Sequence, residues 1–338
     1  MKVALVAVTA AAAVLTLIHA SALGAGLQPV APKPMEATGE GGAAQEPVFK
    51  AGVELVDVAA TVTDGDGRFI SGLTRDDFIV YEDGKPQEIV SFSSERVPVS
   101  LAMLLDVSAS MTEDQLATAR LAINHFVFDL LDQEDELLLM EFAGRDRILQ
   151  PWTRDREMFS RALARAKQVP LDPVVAEHPD GTVSPQSVGT AIYDAVATSL
   201  GLAEKGVNRK KAVLVLSDGD DTSSRRTVKQ VQDAIRASEV MVYALGVDGG
   251  GSASFGSLPA SVNTRALKRL TDETGGRTEV VKGFKNLEKA AAQLADEFNK
   301  QYVIGYAAPN RDGRWHTIKV EVRKRGSKVR ARAGYVAS

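Results

Sequence analysis

The chain has 338 residues, 44% of them apolar, enough for a sizeable core and about two domains at the usual ~100–200 residues each. A net charge of −4 is too mild to point to nucleic acid. Cysteine is absent, which excludes a disulfide framework and any thiolate metal site.

Lys2 is followed by an apolar stretch, Val3 to Ile18, and then by Ala20-Ser21-Ala22. A positive start, a short apolar run and an A-x-A site predict a secretory signal peptide over residues 1–22. The run is shorter than the ~20 residues a spanning helix needs, and no later segment is apolar for long enough. The expectation is export to the periplasm, the cell surface or the medium, with no membrane span after cleavage. Residues 23–47 are Gly, Ala and Pro without a period and predict a disordered linker.

Residues 48–97 read as β-rich. Val53 to Val62 runs into Asp64-Gly-Asp-Gly67, a strand entering a tight turn. The Asp64/Asp66 pair breaks the calcium-loop series at Arg68, so a plain hairpin turn is favoured. Phe69-Ile70, Phe78 to Tyr81 and Ile89 to Phe92 are further short strands, and the set predicts a small β-sandwich module.

Over residues 98–300 strand and helix alternate. Ser100 to Leu105 is a continuous apolar strand, as expected where both faces are covered. It ends in Asp106, with Ser108 and Ser110 at alternate positions. Thr112 to Gln115 is a capping-box start, and Leu116, Ala119 and Ile123 follow at helical spacing. A strand over 135–142, a helix over 156–167 and a long Pro-rich loop over 169–188 come next. Such loops are often functional, and this one leads straight into Thr190, which makes it the candidate for ligand specificity. The helix opening at Gly189-Thr190 precedes the buried strand Ala212 to Leu216, which ends in Ser217-Asp218-Gly219. Helices over 228–238, 264–274 and 287–300 alternate with strands over 240–245 and 277–281, and Gly249-Gly-Gly251 begins a flexible loop. This succession predicts an α/β fold: a Rossmann-like, mostly parallel sheet with helices on both faces. Ligands in such sheets bind outside the carboxyl ends of the strands, where Asp106 and Asp218 both fall.

Residues 301–338 return to β, with strands at 302–306, 316–322 and 329–333. Their alternating Lys and Arg read as a solvated sheet face, and the strands are expected to pack with residues 48–97.

Asp106, Ser108, Ser110, Thr190 and Asp218 together supply two carboxylates and three hydroxyls. Such hard oxygens suit Mg²⁺, which prefers six oxygens and readily retains water. Taken singly, Asp106 would cap a helix and the serines would be turn residues. Asp220 and Asp221 read as solvated loop acids, Tyr193 and Asp194 as parts of a helix. His125, His178 and His316 are not placed to serve Ser108 or Ser110, so a Ser-His-Asp hydrolase is disfavoured. The Gly246–Gly251 loop lacks a phosphate-binding motif.

At these positions the chain resembles the von Willebrand factor type A domain and its metal-ion-dependent adhesion site. Asp106, Ser108 and Ser110 match the D-x-S-x-S motif, Thr190 the later threonine, and Asp218 the strand-end D-G. The flanks are similar to a bacterial subgroup of exported proteins, through Val62-Thr-Asp64, Gly72-Leu-Thr74, Glu82-Asp-Gly84 and Arg332-Ala-Gly-Tyr335. The resemblance implies a Mg²⁺ site (Mn²⁺ or Ca²⁺ as substitutes), with Thr190 and Asp218 reaching the ion directly or through water. It implies a non-enzymatic binding or adhesion module that grips an acidic group of a protein or other ligand. A metal-dependent, phosphatase-like hydrolase and a structural envelope-assembly domain with an incidental metal are the alternatives.

Overall fold

The computed structural model describes residues 55–169, 174–177, 183–186, 189–248 and 262–337. The predicted signal peptide and linker, the glycine loop from Gly249, His178 and most of the Pro-rich segment lie outside these residues.

In chain order, the first β region comprises β1 (Leu55–Thr63), β2 (Phe78–Glu82), β3 (Lys85–Gln87) and β4 (Ile89–Ser93). The Asp64–Gly67 segment is a hairpin turn: Asp64 Oδ1 accepts from the amides of Asp66 and Arg68, each at 2.9 Å. The α/β part follows with β5 (Val99–Asp106), α1 (Glu113–His125), β6 (Glu136–Phe142), β7 (Asp146–Thr153) and α2 (Arg156–Leu163). Then come β8 (Val174–Glu177), β9 (Val183–Gln186), α3 (Ile192–Ala203), β10 (Lys210–Ser217) and α4 (Val228–Ala237). β11 (Met241–Asp248), α5 (Thr264–Thr271), β12 (Thr278–Lys282) and α6 (Gly283–Lys300) complete it. The chain closes with β13 (Tyr302–Ala307), β14 (Trp315–Val322), β15 (Lys328–Arg330) and β16 (Gly334–Val336).

The central sheet has six strands in the order β12-β11-β10-β5-β6-β7. All pairings are parallel except β6 with β7, so all the parallel strands end at one lip. Every residue of β5 is buried, because alternate side chains serve opposite cores. Leu101, Met103 and Leu105 pack with Leu116 and Ile123 of α1, Phe159 of α2 and Leu294 and Phe298 of α6. Ala102 and Leu104 face Ile192 and Val196 of α3, Val231 and Ile235 of α4 and Leu270 of α5. The α/β architecture with helices on both faces is therefore the one the strand–helix alternation predicts.

Three features depart from the sequence reading. β7 is an added antiparallel edge strand, and its pattern hides because only one of its residues, Gln150, is buried. The Pro-rich segment is not wholly a loop: β8 and β9 pair as an antiparallel hairpin. After α1 the helix widens by one turn over Phe126–Leu130, burying Phe126 and Val127.

Strands from the two ends of the chain interleave in two four-stranded sheets, β15-β1-β13-β4 and β16-β14-β2-β3. Between them lies a core of Val58, Phe78, Val80, Tyr302, Ile304, Tyr306 and Ile318. The strand expected at 329–333 is shorter, β15, and a further strand beyond it, β16, joins the other sheet. Gly334 makes the crossing possible: a Cβ there would lie 2.3 Å from the His316 carbonyl oxygen. The Arg residues here are not a solvated face. Arg330 meets the buried Glu297 at 2.7 Å, and the Arg332 side chain, 9% exposed, donates to the carbonyls of Gly334 and Ser238. Lys319 does follow the expectation, with 72% of its side chain exposed.

This β module and the sheet domain belong to one compact unit. Their seam is a polar knot at Glu297, 1% exposed. Its Oε1 accepts from Thr61 Oγ1 at 3.1 Å and Tyr243 Oη at 2.8 Å, while Oε2 faces Arg277 Nε at 3.3 Å. One residue, Gln301, separates the end of α6 from β13, and its Nε2 donates to Tyr243 Oη at 2.9 Å.

Candidate metal centre

β5, β6 and β10 run parallel and in register, which delivers three loops to one lip. Asp106 pairs with Phe142 at the end of β6, and Leu216 pairs with Leu105. The Val107 amide donates to the Phe142 carbonyl at 2.9 Å, and the Ala191 amide to the Ala143 carbonyl at 2.7 Å. The segment holding Thr190 is thus seated on the strand neighbouring Asp106.

The first loop leaves β5 at Asp106, which is fully buried. Its Oδ1 accepts from the Ser108 amide at 2.9 Å, and its Oδ2 from Ser217 Oγ at 2.5 Å. The Ser108 and Ser110 hydroxyls meet at 2.9 Å; Ser108 is buried and Ser110 exposed. Buried Met111 plugs the loop from beneath. Gln168 Nε2 holds its rim at the Met111 carbonyl, 2.6 Å, and the Val169 amide holds the Val107 carbonyl, 2.8 Å. Thr112 and Gln115 form the predicted capping box of α1.

The second carboxylate enters from β10. Ser217 Oγ, besides donating to Asp106, accepts from the Gly219 amide at 2.9 Å. Gly219 has φ +86°, and a Cβ there would lie 2.9 Å from the Asn263 carbonyl oxygen, so glycine is required twice over. Asp218, 5% exposed, takes the Asn263 amide on its carbonyl at 2.8 Å and the Asp220 amide on Oδ1 at 3.2 Å.

Thr190, 4% exposed, is held by the same loop. Its amide donates to Thr222 Oγ1 at 2.8 Å, and its carbonyl accepts from the amides of Thr222 and Ser223 at 2.9 and 3.1 Å. Gly189 permits this fit, since a Cβ would lie 2.4 Å from Thr222 Oγ1.

The structure thus gathers Asp106, Ser108 and Ser110 into one hydrogen-bonded group and sets Asp218 beside it through Ser217. Thr190 joins through the Asp218 loop; among the described residues its hydroxyl makes no hydrogen bond to the other four. Burial pushes the Asp106 carboxyl up to about 6, and the neighbouring negative charge of Asp218 adds to the rise, while hydrogen bonds from Ser108 and Ser217 oppose it. Among the described residues no Lys, Arg or His forms an ion pair with Asp106 or Asp218. Two shielded carboxylates without a counter-charge, ringed by hydroxyls, fit a hard divalent cation by charge and donor chemistry alike.

Ser217 and Asp221 are the residues the sequence reading underweighted. Ser217 stands directly before Asp218 at a strand end, and only the register of β5 with β10 brings it onto Asp106. Asp221 is half-buried rather than solvated: Ser224 Oγ donates to it at 2.5 Å. Asp220 is exposed and Asp194 belongs to α3, as read from the sequence. His125 pairs with Asp129 at 2.7 Å and His316 with Asp83 at 2.7 Å and Asp312 at 3.0 Å, so both described histidines are engaged away from the serines. Glu82, Asp83 and His316 form a second carboxylate–imidazole group, in the β module.

A mostly parallel sheet with helices on both faces, and loops gathered at the carboxyl ends of its strands, defines a Rossmann-like class of α/β domain. The family model for the von Willebrand factor type A domain matches residues 100–293, and the chain belongs to that family. Among solved structures, the conserved hypothetical protein BatB from Bacteroides thetaiotaomicron is 20% identical, with 59% of this chain and 98% of that one covered and a TM-score of 0.45. A von Willebrand factor type A protein from Catenulispora acidiphila is 11% identical over 86% of this chain and 74% of that one, TM-score 0.47. The corresponding domain of the type V pili tip protein Mfa5 from Porphyromonas gingivalis is 11% identical, covering 60% and 96%, TM-score 0.42. These likenesses are distant, and the family assignment rests on the sequence match. No curated protein matches the chain.

Proposed function

We propose that the protein is an exported, non-enzymatic binding module that captures an acidic group of a protein or other ligand through a divalent cation held at the lip of its sheet. Asp106, Ser108, Ser110, Thr190 and Asp218 would hold Mg²⁺, with Mn²⁺ or Ca²⁺ as substitutes. When bound, the ion supplies a Lewis-acid contact for a carboxylate of the partner. The observation that carries this reading is the buried Asp106–Asp218 pair, which lacks any counter-cation among the described residues. Ser110, the exposed member, lies on the solvent side, where a partner approaches. Among the described residues no helix is long and apolar enough to cross a membrane, and residues 1–22 would supply the export signal.

Titration calorimetry with Mg²⁺, followed by capture from a native envelope extract in Mg²⁺ and in EDTA, tests the reading. Wild type is expected to bind Mg²⁺ and to retain its partner only in the metal buffer; Asp106→Ala loses both. Partner capture that survives EDTA or the Asp106→Ala change would sink it in favour of a structural envelope role with an incidental metal. Hydrolysis of generic phosphoesters that depends on Mg²⁺ would favour the hydrolase instead.

A further inference from the structure

α3 begins directly after Thr190, yet its own N-cap residue, Ala191, makes no side-chain cap. A helix start leaves amides that need partners, and a missing cap costs stability. Here the partners come from another segment, the loop after Asp218. Ser224 Oγ accepts from the amides of Tyr193 and Asp194 at 3.1 and 3.3 Å. The Asp221 carboxylate faces the amides of Ile192 and Tyr193 and takes the Ser224 hydroxyl at 2.5 Å. The contact is reciprocal. The Asp194 carboxylate, in the first turn of α3, accepts from the amides of Arg225 and Arg226 at 2.8 and 3.1 Å and from Arg226 Nη1 at 3.1 Å. It is a capping box built across two chain segments that are 31 residues apart at Asp194 and Arg225.

We propose that Asp221 and Ser224 are positioning residues of the metal centre, capping α3 from the opposite loop so that Thr190 and Asp218 are held as one unit. This inference rests on the metal-binding reading above. Asp106, Ser108 and Ser110 sit on a single loop and preorganise one another. Thr190 and Asp218 come from different segments, and their spacing is set by what fastens those segments. The ties are the hydrogen bonds that Thr222 and Ser223 make with the Thr190 backbone, and the cross-segment cap. Partners that orient metal ligands without touching the ion typically change affinity by ~10–100-fold. Asp221 contributes mainly as a hydrogen-bond acceptor for helix amides, so an amide side chain in its place preserves part of the function, whereas a methyl group does not.

The test is Mg²⁺ titration calorimetry on the full chain, with wild type, Asp106→Ala, Asp221→Ala, Asp221→Asn, Ser224→Ala and Asp220→Asn. Circular dichroism in EDTA checks each fold. The expected result is Mg²⁺ affinity weakened ~10–100-fold by Asp221→Ala, less by Ser224→Ala, and largely restored by Asp221→Asn. Asp220→Asn, which removes an exposed charge from the same loop, stays within about threefold of wild type. If Asp221→Ala does not fold, the Ser224→Ala shift decides. Wild-type affinity in the folded Asp221→Ala or Ser224→Ala protein overturns the positioning role while leaving the metal site intact. Equal loss in Asp221→Asn and Asp221→Ala overturns it too, since charge rather than capping would then act. No Mg²⁺ binding by wild type, or binding unaffected by Asp106→Ala, defeats the metal reading itself and this inference with it.

Discussion

Two sets of buried acids sit at opposite ends of this molecule, and they are solved in opposite ways. At the seam with the β module, Glu297 is surrounded by Arg277, Arg330, Tyr243 and Thr61. In the β module, Glu82 accepts from Tyr306 Oη at 2.8 Å and Tyr335 Oη at 3.1 Å and faces the His316 ring at 3.6 Å. At the lip, Asp106 and Asp218 face each other's charge with hydroxyl and amide donors and, among the described residues, no ion pair to Lys, Arg or His. A buried carboxylate with partners is structural glue; a pair left uncompensated stores unfavourable charge that a ligand can relieve. The difference supports placing the proposed metal site at the lip.

The comparison breaks first at Glu297. Glu297→Ala strands the Arg330 guanidinium and several donors, so stability should fall by about 3–5 kcal/mol in urea unfolding. Mg²⁺ affinity of the folded fraction should stay near wild type, because the seam lies at the far end of the strands. Asp106→Ala should do the reverse. Loss of the central carboxylate is expected to weaken Mg²⁺ by more than the ~100-fold upper range for residues that merely orient ligands, and calorimetry reads this directly. The apo protein should unfold at a temperature no lower than wild type in EDTA, since a like-charge contact has been removed.

Metal itself supplies the next test. At a Mg²⁺ concentration 100 times Kd, binding to the native state alone stabilises by about 2.7 kcal/mol, a rise of roughly 5–10 °C in Tm. The same addition should leave the Tm of Asp106→Ala unchanged in a thermal scan.

The smallest expected effect concerns pH. Hydrogen bonds from the His316 ring to Asp312 and Asp83 raise its pKa above the ordinary 6.5, so the folded chain holds that proton more tightly than the unfolded chain. This contribution is complete below the unfolded value and is lost as pH rises through the folded one. The urea midpoint should therefore drop as pH rises above about 6.5 and through the folded value at constant Mg²⁺, with a shallower slope in His316→Gln. A slope unchanged by that substitution would assign the dependence to other groups.

Much of this architecture was legible before any coordinates. The unbroken apolar run of β5, its stop at Asp106 and the Thr112 capping box reflect local chemistry: burial on two faces, a charge that ends a strand, a hydroxyl that starts a helix. β7 escaped because an edge strand with one solvated side lacks the apolar signal. Arg330 and Arg332 were misread as solvent-facing because alternation says which residues share a face but not what covers it; here Glu297 and backbone carbonyls do. Asp221 was misread for a similar reason. Nothing near it in the chain needs an acceptor, and the amides it serves lie on α3.

By itself the sequence determined the alternation of strand and helix and five oxygen-bearing candidates for one site, and its motifs carried the resemblance to the family. The alternation and the candidates follow from periodicity and residue type, which act over a few positions. Only the tertiary structure decided that Ser217 meets Asp106, that Thr190 is fastened to the Asp218 loop, and that β15 and β16 enter different sheets of the β module. Each of these depends on strand register and on contacts between distant segments, and in a parallel sheet the register is set by helix packing across both faces, which no local pattern encodes.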